Sequence, residues 1–191
     1  MDLLTKLGRR FFLIVIALFI AITLFMPMVK IRINEDKSIR QSGLDIIKCI
    51  FDDDVLELEI EDEFLGEKTT GSQTLGFLYN YDETNVETTI FVLSYFVFIV
   101  TGLVLLVFSF FRLLFGSNLP GFHFFVAILN VISSILFVII SYYLVHLENN
   151  QAIFGFFAES SVAFGSWCVL IFSLFYFFGY AFSIKQIEYV D

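Results

Sequence analysis

Four long blocks of the sequence contain no Asp, Glu, Lys or Arg: residues 11–29, 89–111, 122–145 and 162–183. A helix of about 20 apolar residues, rising 1.5 Å per residue, crosses about 30 Å of hydrocarbon, so each block can span a bilayer. The second block has no polar residue at every second position, which excludes an outer-membrane β-strand. The chain is 58% hydrophobic and only 16% charged, which excludes an ordinary soluble domain. The sequence predicts one α-helical membrane domain, a bundle of four transmembrane helices.

The first block follows Lys6, Arg9 and Arg10, a pattern that a secretory signal peptide shares. The apolar part of a signal peptide is about 7–15 residues long and ends at small residues suited to cleavage. This block is 19 residues long and has no A-x-A-like site near its end. We therefore expect a retained helix, with a signal peptide as the alternative.

Basic residues near the ends of the blocks predict the orientation in the membrane. The three N-terminal cations precede the first block, Arg112 closes the second, and Lys185 follows the fourth. Residues 147–161 contain no Lys or Arg. Because Lys and Arg in short flanking segments favour the cytoplasmic side, both termini are predicted to be cytoplasmic, in a multi-pass protein of the cell (plasma) membrane.

The segment between the first two blocks, residues 30–88, is then extracytoplasmic and strongly acidic. It holds 15 acidic and 6 basic residues, which accounts for the whole formal charge of −9. Such a domain attracts cations or basic partners and repels nucleic acid, so no nucleic-acid partner is expected. Solubility alone is the other interpretation of this charge.

Two stretches of the outer segment have the period of two that is typical of strands. Residues 29–33 alternate apolar with basic side chains, and residues 55–60 alternate apolar with acidic ones. We expect the two to pair in a small β-sheet, which places Lys30 and Arg32 opposite Glu57 and Glu59. Each such pair contributes about 0.2–1 kcal/mol. Residues 42–51 are predicted to form a short helix, and residues 75–81 a third strand.

The sequence gives little support for a metal site or a disulfide bond. Residues 52–54 and 61–63 form two acidic clusters, which are either a solvated strand edge or a weak calcium site, without the spacing of an EF-hand. His123 and His146 fall at opposite ends of the third block, too far apart to share a metal, and are expected at the membrane interface. Cys49 is expected in the outer segment and Cys168 within the fourth helix, at different depths relative to the membrane, so no disulfide is predicted. No cofactor is predicted either.

Small and polar residues within the blocks recur at helical spacing and are predicted to form the contacts between helices. They lie in all four blocks: Ala17, Ala21, Ser94, Thr101, Asn130, Ser134, Ser141, Ser166, Ser173 and Tyr180. The alternative is a polar path for a solute. Ion and proton paths usually use ionisable groups inside the membrane, and the blocks have no acidic or basic side chain at mid-depth.

The order of these features resembles the claudin family. The Met-Pro-Met-Val-Lys segment at 26–30 looks like that family's exit from its first helix, and Gly43-Leu44 followed by Cys49 is similar to its Gly-Leu-Trp and cysteine signature. The resemblance implies a small extracytoplasmic sheet on a four-helix bundle. This chain has no second loop cysteine, so the family's loop disulfide cannot form. Residues 42–47 also resemble a Ser-Gly-x-Asp-Leu-Ile segment of uncharacterised bacterial four-helix membrane proteins.

The chain contains no HExxH, GxSxG, Walker A or CxxC motif, and no enzymatic activity is predicted. We expect a non-enzymatic membrane protein whose acidic outer domain makes protein–protein contacts, as an adhesion-like structural protein or an accessory subunit. The expected partners besides the lipid bilayer are like copies or another membrane protein. A subunit of a small oligomeric channel or transporter is the alternative function.

Overall fold

The computed structural model describes residues 3–32, 38–48, 59–61, 68–70, 86–115, 120–151 and 159–185. In chain order these residues form α1 (Leu3–Ile22), a 3₁₀ turn (Thr23–Phe25), β1 (Pro27–Arg32), β2 (Ser38–Ser42), α2 (Gly43–Lys48), β3 (Glu59–Glu61), β4 (Lys68–Thr70), α3 (Val86–Phe115), α4 (Pro120–Gln151), β5 (Glu159–Val162) and α5 (Phe164–Lys185). The four long helices α1, α3, α4 and α5 form a bundle with a small sheet at one end. The predicted class, mostly helical with a small sheet, is confirmed.

Four stretches of the described chain are long and apolar enough to cross a membrane: Leu7–Phe25, which includes the 3₁₀ turn after α1, Thr89–Phe115 in α3, Pro120–His146 in α4 and Phe164–Phe182 in α5. Large apolar side chains such as Phe125 and Phe175 point outward, while polar side chains such as Asn130 and Ser173 are buried between the helices. A soluble bundle has the opposite distribution. The burial of polar groups against an apolar exterior is typical of a helix bundle whose solvent is lipid.

The first long helix begins and ends earlier in the chain than predicted, at Leu3–Ile22 instead of residues 11–29. It ends at Ile22, and Pro27, which was placed in the helix, begins β1 instead. Proline has no N–H to donate and disfavours helical backbone in the preceding residue, and Met26 is accordingly extended, with φ −82° and ψ 146°. The other boundaries differ less, since α3 and α4 extend a few residues beyond both ends of their apolar blocks.

β1 is the central strand of a three-stranded antiparallel sheet with the order β2-β1-β5. Lys30 lies opposite Arg40 on one side and Ser161 on the other, and Arg32 lies opposite Ser38 and Glu159. The predicted pairing with residues 55–60 is therefore wrong for Lys30 and Arg32, because both edges of β1 are already occupied.

The acidic strand has a different partner. Glu59 belongs to β3, which pairs with β4, and it lies opposite Thr70. Glu57 lies outside the described residues, as do Cys49, residues 52–54 and the predicted third strand at 75–81. The alternation of apolar and charged residues identified strands, but complementary charge did not identify their partners.

α2 confirms the predicted short helix over six residues and has a capping box at its start. The Ser42 backbone N–H donates to Asp45 Oδ2 at 2.9 Å, and the Asp45 N–H donates to Ser42 Oγ at 3.3 Å. The Ser42 hydroxyl also donates to Asp45 Oδ2 at 2.6 Å. These bonds satisfy backbone donors that a helix start leaves free.

Ser42→Ala is therefore expected to lower the free energy of unfolding by about 1 kcal/mol, since the cap supplies about that much. Thermal unfolding of the purified protein in detergent measures it. The matched control is Ser161→Ala, because the exposed Ser161 hydroxyl makes only a 3.3 Å bond to the Lys30 carbonyl and caps no helix. An equal loss in both variants would contradict the capping role.

The sheet is fixed to the bundle through the backbone of β1. The Ala163 N–H donates to the Met28 carbonyl at 2.9 Å, and the Ser166 hydroxyl donates to the same oxygen at 2.9 Å. On the other side, the Gly43 N–H donates to the Met26 carbonyl at 3.2 Å. We call this end of the bundle the sheet end. The opposite end, where α1 and α4 begin and α3 and α5 end, is called the far end.

Candidate functional site

Three buried polar side chains in the middle of the bundle form what we call the Asn130 network: Thr101, Asn130 and Ser173. Asn130 Nδ2 on α4 donates to the Phe98 carbonyl and to Thr101 Oγ1 of α3, both at 2.8 Å. Ser173 on α5 donates to Asn130 Oδ1 at 2.7 Å. The Asn130 amide thus links three helices, and its oxygen and nitrogen are both used within the bundle.

The remaining predicted packing residues have different roles. Ser94, Ser134 and Ser141 each donate to a carbonyl of their own helix, at 2.7–2.8 Å. Ser166 bonds to β1, as described, and Tyr180 donates to the Pro120 carbonyl of α4 at 3.3 Å. All five are buried. Only part of the predicted set therefore hydrogen-bonds between helices.

Small residues bring α1 close to its neighbours. Ala17 is fully buried, and Ala21 is half-buried. Gly102 of α3 lies so close to Ile20 of α1 that an added Cβ would overlap the Ile20 side chain. The close α1–α3 contact thus depends on a glycine in α3 as well as on the alanine pair identified in α1.

A second group of polar side chains lies at the far end, and we call it the far-end cluster: Ser109, Arg112, His123, Tyr176 and Tyr180. It joins the last turns of α3, the first turn of α4 and the C-terminal half of α5. All five side chains are buried, and Arg112 and His123 are 7% and 2% exposed. His123, which is predicted to lie at the membrane interface, is covered by the rings of Tyr176 and Tyr180 of α5.

Tyr176 is the centre of the hydrogen bonds in this cluster. Its hydroxyl lies 2.5 Å from Ser109 Oγ and 2.6 Å from His123 Nε2, and it also contacts the Leu105 carbonyl at 3.4 Å. Tyr180 stacks on the His123 ring with the centroids 4.0 Å apart. The Tyr176 hydroxyl separates Ser109 from His123, so these contacts join helices and do not pair the serine with a base.

Arg112 is the charged member of the cluster. Its guanidinium carbon lies 5.3 Å from the centre of the Tyr180 ring, within the range of a cation–π contact. Its Nη1 is buried and has no hydrogen-bond partner, and no described residue forms an ion pair with it. Arg10 of α1 is close enough to act on Arg112 through its like charge. The cluster is therefore cationic.

His146 and Trp167 lie on the outside of the bundle. His146, near the opposite end of α4 from His123, is exposed, and Trp167 of α5 is exposed and makes an edge contact with Tyr142. Among the described residues, no group of three or more His, Cys, Asp or Glu could hold a metal ion. The acidic clusters proposed as a weak calcium site fall outside the described residues, apart from the backbone of Glu61.

Sequence reasoning missed the far-end cluster, although a signal was present. Ser109 and Arg112 are three residues apart, and Tyr176 and Tyr180 are four apart, so each pair shares one helical face near a block end. The comparisons add no further information about this site. No family model, curated protein or solved structure matches the chain.

Proposed function

We propose that this chain is a non-enzymatic, multi-pass protein of the cell membrane whose acidic outer domain makes protein–protein contacts. It acts as an adhesion-like structural protein or as an accessory subunit. In this orientation the sheet end lies outside the cell, and the far end, with Arg9, Arg10 and Arg112, lies in the cytoplasm. The positive-inside rule supports it, and so do the length and high mean hydropathy of the four spans.

The observation that carries this proposal is the way the sheet is attached. Its strands come from two separate parts of the chain, with β1 and β2 before α2 and β5 just before α5. The Met28 carbonyl at its centre accepts bonds from Ala163 and Ser166 at the start of α5. A platform held this way fixes β1 and β2, the first part of the segment 30–88, to the bundle, which supports a role of this segment in contacts.

A channel or transporter subunit is the second candidate function. The Asn130 network argues against a solute path through one copy of the bundle, because its amide and hydroxyl groups hydrogen-bond to one another and to the helix backbone. Groups that line a hydrated path would need to stay available to water. A conducting path would therefore have to form between copies.

The test is the mass of the tagged protein after extraction from its native membrane in a mild detergent. Wild type is expected in a particle larger than one chain, built from like copies or with a stoichiometric membrane partner. Changing the six carboxylates of 52–54 and 61–63 to amides should shift it to single chains. The matched control exchanges Asp for Glu and Glu for Asp at the same positions, and should assemble like wild type.

Salt provides a second readout, because 1 M salt screens charges beyond about 3 Å. The wild-type particle is expected to dissociate there, whereas one held by apolar helix faces would not. A wild-type single chain, or an amide variant that assembles normally, would contradict the proposal. Solute flux into liposomes that contain the protein tests the alternative. A measurable flux that is equal for wild type and the amide variant would favour the channel function instead.

A further inference from the structure

The far-end cluster contains a buried cation whose charge the described residues do not balance. Arg112 is 7% exposed, and its Nη1 has no hydrogen-bond partner among the residues that the structure describes. The Tyr180 ring offsets only part of the cost of burying a guanidinium, and Arg10 adds to the positive potential. Buried charges in proteins are paired, so the arrangement calls for an anionic group.

The position of Arg112 indicates the kind of anion. It lies three residues before the end of α3, and α4 begins close by at Pro120. If the bundle spans the membrane as proposed, this is the level of the lipid headgroups. The α4 N-terminus adds a partial positive charge, and a guanidinium fork matches the oxygens of a phosphate.

Apolar rings beside the cluster favour a lipid over a free anion. Phe111, Phe115 and Phe122 are each at least half exposed at this end. Phe111 stacks on Phe115 with centroids 5.7 Å apart, and Phe122 contacts Phe108 at 5.3 Å. A phospholipid whose phosphate reached Arg112 would lay its acyl chains on these rings.

We propose that the far-end cluster binds the phosphate group of an anionic membrane lipid through Arg112, with Arg10 adding charge. The inference rests on the proposed membrane placement but not on the outer-domain contacts. Assembly through the outer domain and lipid binding at the far end can therefore fail separately. Inorganic phosphate and nucleotides also carry a phosphate group, and the experiment distinguishes them from a lipid.

The experiment uses purified, delipidated protein in detergent and an equimolar mixture of phosphatidylglycerol and phosphatidylcholine with identical chains. Native mass spectrometry gives the ratio of the two bound lipids. One basic residue near a membrane surface contributes about a fivefold preference for an anionic lipid, so Arg112→Gln should reduce the ratio about fivefold. Lys185→Gln removes the same charge from the last residue of α5, at the same end of the bundle, and should leave the ratio near wild type.

Thermal unfolding is the second readout. Phosphatidylglycerol is expected to raise the Tm of wild type above its value in phosphatidylcholine, and to do so less for Arg112→Gln. Arg112→Lys keeps the charge without the fork and should retain part of the preference, which separates lost binding from lost folding. An equal Tm rise with inorganic phosphate would overturn the lipid as the source. A lipid ratio that falls equally in Arg112→Gln and Lys185→Gln would overturn the site.

The chain's own carboxylates give a further control. A Glu188→Gln, Asp191→Asn double variant is expected to keep the wild-type lipid ratio. If wild type shows no lipid preference and this double variant shows one, the Arg112 guanidinium is already paired within the chain. That result would overturn the proposal.

Discussion

Gly165→Val is expected to lower the Tm in detergent by about 6–12 °C, because it forces apart the contact between the sheet and the bundle. An ideal Cβ at Gly165 would overlap the Pro27 carbonyl oxygen and come within 3.0 Å of Met26 Cβ and Met28 Sδ. Forced overpacking of this kind costs about 3 kcal/mol, and each kcal/mol shifts the Tm of a chain this long by about 2–4 °C. The Pro27 carbonyl belongs to the backbone of β1, which lies between β2 and β5 and cannot move aside alone.

Gly8→Val is the matched control for this variant. It makes the same substitution within α1, where nothing lies within 4 Å of an added Cβ. We expect only the small cost of a β-branched residue in a helix there. Gly165→Ala should fall between wild type and Gly165→Val. Equal Tm values for Gly165→Val and Gly8→Val would show that the sheet does not pack on α5 as described.

The parts of the fold that depend on local pattern were predictable from the sequence. Uninterrupted apolar blocks identified the four long helices, and the alternation in residues 29–33 identified most of β1. Ser42 and Asp45 have the spacing of a capping box, which agrees with the short helix that follows. Each of these signals lies within a few residues of the structure that it predicts.

The partners of these elements were not predictable, because they depend on contacts between distant parts of the chain. β5 consists of Glu-Ser-Ser-Val at residues 159–162, a stretch without strand character, and it is a strand because β1 offers it a free edge. His123 is buried because Tyr176 and Tyr180 of α5 cover it from more than 50 residues away. A single sequence places a residue along its helix but does not show which helix packs over it.

Asn130→Leu is expected to lower the free energy of unfolding in detergent by about 2–4 kcal/mol. The change keeps the four side-chain heavy atoms and the branching at Cγ but removes the two bonds that Nδ2 donates to α3 and the one that Oδ1 accepts from Ser173. Interhelical hydrogen bonds in membrane proteins contribute about 0.6–2 kcal/mol each. Ser173 then loses its 2.7 Å partner while buried, which adds to the cost.

Ser134→Ala is the control that separates a bond between helices from a bond within one. Ser134 is buried on the same helix, and its hydroxyl donates to the Val131 carbonyl one turn away, so its loss should cost less than about 1 kcal/mol. A double-mutant cycle of Asn130→Leu with Ser173→Ala should show coupling, because the two side chains share one bond. Additive losses, or equal losses for Asn130→Leu and Ser134→Ala, would mean that Asn130 does not hold the three helices together. The polar groups of the Asn130 network would then be available to water, and this result would support the channel function.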